Sequence, residues 1–113
     1  MQYDLKTATV SASCASITIE LTHTGTAMGH NVVISATKDL SAVTAAGMKA
    51  GVAGGYVPKA DARVLAATKM VGGGAKASTK LAGSKLKAGG DYSFFCSFPG
   101  HSGIMKGKLV VTK

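Results

Sequence analysis

Ser16-Ile17-Thr18-Ile19-Glu20-Leu21-Thr22 places apolar side chains at 17, 19 and 21 and polar ones at 16, 18, 20 and 22. Successive side chains of an extended strand point to opposite faces, so this stretch buries one face and wets the other. Working outward, similar signals recur. Tyr3, Leu5 and the Thr7 to Val10 stretch read as a strand before it, and His30 to Ser35 as a more fully buried one after it. Arg63 to Thr68, Lys76 to Leu81, Asp91 to Cys96 and Lys106 to Thr112 follow, with Gly51, Gly54-Gly55, Gly72-Gly73-Gly74 and Gly89-Gly90 between them. Short strands separated by turn residues predict an all-β sandwich with Greek-key connections. One segment departs from period two. Asp39 to Met48 is Ala-rich with Leu40 and Val43 three apart, and predicts a short inserted helix with Asp39 as N-cap and Gly47 as its stop.

Length and composition fit that reading. The chain has 113 residues, enough for a single domain over 1–113. Its two cysteines do not make a disulfide-dense scaffold, and 16% charged residues beside 46% apolar ones do not describe a disordered chain. No apolar run nears the roughly 20 residues of a membrane helix. The first ten residues, MQYDLKTATV, contain no hydrophobic signal-peptide core.

Thirteen basic residues against five acidic ones give a net charge of +8, which raises nucleic acid or an anionic surface as a partner. The lysines are spread singly, however, Arg63 is the one arginine, and three Phe and three Tyr make a poor base-stacking platform. No nucleic acid is expected; the charge is expected to steer an acidic partner. Gly72-Gly73-Gly74 lacks the spacing of a dinucleotide-binding turn.

The chemistry is concentrated in Phe95-Cys96-Ser97-Phe98-Pro99-Gly100-His101-Ser102-Gly103-Ile104-Met105, which spaces thiol, imidazole and thioether as C-x4-H-x3-M. Cys96 ends a strand, and the Phe98-Pro99-Gly100 turn can swing His101 back beside it. A second imidazole, His30, opens an earlier buried strand. One Cys, two His and a distant Met form the ligand set of a blue-copper electron-transfer site. Thiolate and thioether favour Cu(I), and imidazole accepts both oxidation states. A Cys96 nucleophile with His101 as base is the enzymatic alternative, but no third orienting residue lies nearby in sequence and Met105 would have no role.

Met28-Gly29-His30-Asn31 and the pattern from Phe94 to Gly107 closely resemble the azurins, bacterial blue-copper cupredoxins. Ser13-Cys14, Gly47-Met48, Asp61-Ala62-Arg63-Val64 and Ser84-Lys85-Leu86-Lys87 extend the resemblance along the chain. It implies a cupredoxin sandwich and a type 1 copper protein acting as a soluble single-electron carrier, not an enzyme. His30, Cys96 and His101 match trigonal ligands, Met105 a weak axial ligand, and the Gly29 carbonyl the opposite axial oxygen. Asn31 matches a residue tying the ligand loops together near the thiolate. The Phe98 amide matches a donor to the sulfur, and His23 a buried histidine near the site. Met28, Met48, Pro99, Gly100 and Ile104 match an apolar docking patch. The implied partners are redox proteins with an acidic surface, such as a c-type cytochrome or a copper or haem reductase, and the implied location is the periplasm. Zinc is expected as an adventitious substitute for copper.

Three departures stand beside the resemblance. Azurins carry an earlier strand whose cysteine pairs with the position of Cys14. That segment is not in this sequence, so a monomer with an unpaired Cys14 or a Cys14-linked dimer is expected, and a disulfide of this kind is typically worth ~2–5 kcal/mol. The stretch between His23 and Met28 is short for the family. Val32 stands where many azurins have a buried tryptophan, which predicts repacking or a cavity there.

Overall fold

The computed structural model describes residues 7–22, 29–58, 61–72, 74–98, 103 and 105–113. Two sheets face each other. Strands β1 (Thr7–Ser11), β3 (Val33–Ala36), β4 (Ala66–Ala67), β6 (Asp91–Phe95) and β7 (Lys106–Thr112) form one sheet in the order β1-β7-β6-β3-β4. Strands β2 (Ile17–Thr22) and β5 (Lys76–Leu81) form the other. β1 runs parallel to β7, and every other pair is antiparallel. The Greek-key sandwich with one inserted helix is what the sequence leads one to expect.

The alternation in β2 works as read. Ile17, Ile19 and Leu21 lie opposite Leu81, Thr79 and Ala77 of β5, and this face turns inward. Between the sheets they meet Val32, Ile34, Val71, Leu86, Phe94, Leu109 and Val111. β3 lacks alternation because both its faces are covered. Ile34 enters the core between the sheets, while Val33 joins Phe95 of β6 and Val43 in a second cluster beneath the helix. All three members of that cluster are fully buried. Val32 also packs into the core between the sheets.

The helix, α1 (Leu40–Ala50), runs past its expected end, and the expectation of a stop at Gly47 needs correction. Asp39 takes the N-cap position as expected, but its side chain makes no capping hydrogen bond, because a 3-10 turn over Thr37–Asp39 feeds straight into α1 and leaves Asp39 in helical geometry. Gly47 does not stop the helix. It lies on the buried face, four residues after Val43, and its missing side chain admits the Tyr56 carbonyl. The stop is Gly51, in a positive-φ conformation (66°), whose N–H bonds the Gly47 carbonyl at 3.1 Å.

The 63–68 strand contracts to Ala66–Ala67. Asp61 makes a turn there: its carboxylate accepts the Arg63 N–H at 2.9 Å and its carbonyl accepts that of Val64 at 3.0 Å. Pairing with the β3 segment resumes through Leu65 N–H to Ile34 carbonyl and Thr68 N–H to Val32 carbonyl. Tyr3 and Leu5 lie outside the described residues.

Candidate metal centre

Cys96 follows β6 immediately. Phe95 turns toward the helix, so Cys96 turns the opposite way, into the protein, and is fully buried. Its N–H still bonds the Met105 carbonyl at 3.0 Å, which clamps the two ends of the intervening loop. Met105 is itself buried. His30 is fixed from a third direction by a reciprocal bridge to Val71, with N–H to carbonyl distances of 3.0 and 2.9 Å.

These anchors bring Cys96 Sγ to 3.9 Å from His30 Nδ1. One ion bonded to sulfur at about 2.3 Å and to nitrogen at about 2.0 Å holds such donors roughly 3.5 Å apart at a tetrahedral angle and roughly 3.7 Å apart at a trigonal one. The observed separation is close to both values, so the pair fits one metal ion held by a thiolate sulfur and an imidazole nitrogen.

The electrostatics point the same way. Burial pushes the Cys96 thiol above its ordinary range, while the backbone N–H groups of Asn31 and Phe98, donated to the sulfur, pull it part of the way back. Hydrogen-bond donors favour the thiolate, and the remaining stabilisation is what a bound cation supplies.

Asn31 does more than its backbone. Its side-chain Nδ2 donates to Ser97 Oγ at 2.9 Å, and the Ser97 N–H donates to its Oδ1 at 2.8 Å. Both residues are fully buried, so this pair of bonds ties the His30 segment to the Cys96 segment away from water. Gly29 is roofed by Met70: a Cβ there would come within 2.8 Å of Met70 Cγ and 3.7 Å of the Phe98 ring. Phe98 in turn packs edge-to-face on Tyr56, with ring centroids 5.4 Å apart.

The structure thus gathers Gly29, His30, Asn31, Cys96, Phe98 and Met105 at one end of the sandwich. His101, His23, Met28, Pro99, Gly100 and Ile104 lie outside the described residues. Met48 is 55% exposed, and Val52, beyond the helix, is 77% exposed. Sequence reasoning missed Ser97, Met70 and Tyr56. A small polar residue directly after a buried cysteine was a usable signal for Ser97; Met70 and Tyr56 meet the site only through folding. Cys14 is exposed and Cys96 buried, and no disulfide joins them.

Comparison with known proteins identifies the family. The family of "Copper binding proteins, plastocyanin/azurin family" matches residues 1–112. The azurin of Alcaligenes faecalis is 51% identical over 113 aligned residues, covering 96% of this chain and 88% of that protein. The azurin of Bordetella pertussis is 49% identical, covering 96% of this chain and 75% of that one. Among solved structures, the azurin Az-iso2 from the methylotroph Methylomonas sp. strain J superposes with a TM-score of 0.94 at 37% identity, covering 99% of this chain and 90% of that one. A match along nearly the whole sequence, with about half the residues shared, makes this chain a member of the plastocyanin/azurin family of copper-binding proteins.

Proposed function

We propose that this chain is a type 1 copper protein that carries single electrons between redox proteins, in which His30, Cys96 and His101 would hold the copper, with Met105 and the Gly29 carbonyl as weaker further ligands. The observation that carries this reading is the 3.9 Å approach of Cys96 Sγ to His30 Nδ1, with two backbone N–H groups donated to that sulfur. When bound, copper supplies the one-electron Cu(I)/Cu(II) couple. The protein supplies fixed donors. The Cys96–Met105 clamp, the His30–Val71 bridge and the Asn31–Ser97 pair each hold a ligand segment from a different direction. Donors held this way move little between oxidation states, which keeps outer-sphere transfer fast.

The nucleophilic-enzyme reading has no support: a fully buried thiol pushed upward by burial is poorly placed to attack a substrate. The nucleic-acid reading fares no better, because exposed Lys76 and Lys80 lie on one outer face and exposed Lys106 and Lys108 on the other. The net +8 suits transient encounters with an acidic partner, a c-type cytochrome or a copper or haem reductase in the periplasm. The docking patch we propose comprises Met28, Met48, Pro99, Gly100 and Ile104, widened by exposed Val52. Exposed Cys14 is free to link two copies. A dimer on a non-reducing gel after air oxidation is expected, and a persistent monomer counts against that link. The test of function is a visible spectrum. Addition of Cu(II) is expected to give an intense blue colour that reductant bleaches. Colourless protein under oxidising conditions, with Cys96→Ala binding copper equally well, overturns the reading.

A further inference from the structure

Tyr56 has a backbone φ of 58°, a left-handed conformation that a bulky side chain rarely adopts. Gly51 and Gly55, in the same turn, also have positive φ, so a glycine at 56 would satisfy the backbone with no strain. An aromatic residue in a glycine-like conformation points to a task for its ring.

The surroundings specify that task. The turn is knit by Tyr56 N–H to the Gly51 carbonyl at 3.0 Å and Val57 N–H to the Gly54 carbonyl at 3.2 Å. On one side the Tyr56 carbonyl occupies the notch left by Gly47 in α1, close enough that a side chain at 47 would strike it. On the other side the Tyr56 ring meets Phe98 edge-to-face at 65°. Phe98 contributes one of the two backbone N–H groups donated to Cys96 Sγ. Continuous packing therefore runs from α1 through Tyr56 to the donor on the sulfur.

We propose that Tyr56 is a positioning residue for the metal centre: seated on α1 at Gly47, its ring braces Phe98 so that the Phe98 N–H remains on the Cys96 sulfur. The inference rests on the copper reading above. A hydrogen bond to the thiolate withdraws electron density from it and so favours Cu(I). Loosening Phe98 therefore shifts the couple toward Cu(II).

Tyr56→Gly and Tyr56→Phe separate this role from simple packing. Tyr56→Gly removes the ring while relieving the backbone, so the fold is retained; Tyr56→Phe keeps the ring. In copper-loaded protein, Tyr56→Gly is expected to shift the Cu(I)/Cu(II) equilibrium toward Cu(II) by about two- to tenfold, the range of one net hydrogen bond, and Tyr56→Phe to leave it unchanged. In metal-free protein, the Phe98 amide is expected to exchange with solvent faster in Tyr56→Gly than in the parent chain. If the parent protein gives no blue colour with copper, the functional reading fails, while the amide exchange still reports on the brace. A blue Tyr56→Gly protein with unchanged potential and unchanged Phe98 exchange overturns the inference.

Discussion

Replacing Asn31 by Ala removes both hydrogen bonds that join the His30 and Cys96 segments. Nδ2 to Ser97 Oγ is 2.9 Å and Ser97 N–H to Oδ1 is 2.8 Å, and both residues are fully buried. Each lost bond is worth roughly 1 kcal/mol net, and the orphaned Ser97 N–H adds a desolvation cost of about 1–3 kcal/mol, so Asn31→Ala should destabilise by about 3–5 kcal/mol. Ser97→Ala removes only the first bond but takes the acceptor from the buried Asn31 Nδ2, and should cost about 2–4 kcal/mol. Once Asn31 is gone, that bond no longer exists to be lost. The double variant should therefore cost about the same as Asn31→Ala alone, giving a coupling of about 2–4 kcal/mol. Urea unfolding of the metal-free parent, both single variants and the double variant measures all four corners. An Asn31→Ala cost below about 1 kcal/mol, or strict additivity, refutes the reasoning, because neither is compatible with two satisfied, water-excluded bonds.

Other consequences are open to measurement. Gly47→Ala in an ordinary helix interior would stabilise by up to about 1 kcal/mol; here the added methyl meets the Tyr56 carbonyl and lies 2.9 Å from its carbon, so an overpacking cost of about 1–3 kcal/mol should dominate and lower the melting temperature. Phe95→Ala, emptying the cluster of Val33 and Val43 beneath the helix, should cost about 3–5 kcal/mol by denaturant unfolding. The Arg63 guanidinium, 2.6 Å from Asp61 Oδ2, holds the Asp61 carboxyl down to about 2. A depressed folded-state value means the pair contributes above the unfolded carboxylate range and fades as pH falls toward 2. Arg63→Ala should return Asp61 toward 3.8, read by carboxyl-carbon NMR titration.

Much of this was legible in the sequence because it rests on local periodicity. The alternation at 16–22 fixed which side of β2 is buried, and the unbroken apolar run at 32–34 reflected a strand covered on both faces. The C-x4-H-x3-M spacing suggested a ligand set because these candidate residues are close together in the sequence. What was not legible depends on contacts distant in sequence. Gly47 looked like a helix stop because the usual signal is conformational freedom, whereas its role is close approach to a carbonyl nine residues on. Asp39 does sit at the N-cap, but nothing local announces the 3-10 turn before it that leaves its side chain without a capping bond. Ser97 and Tyr56 acquire their roles only when the 29–31, 51–57 and 96–98 segments meet.

The assignment of the metal centre is tested most directly by a crystal structure of copper-loaded protein with anomalous scattering at the copper edge. The expected result is one copper ion bonded to Cys96 Sγ, at about 2.3 Å, and to His30 Nδ1, at about 2.0 Å, with His101 completing the plane and Met105 beyond bonding distance for a strong ligand. Copper bound elsewhere, or held without the Cys96 sulfur, contradicts it.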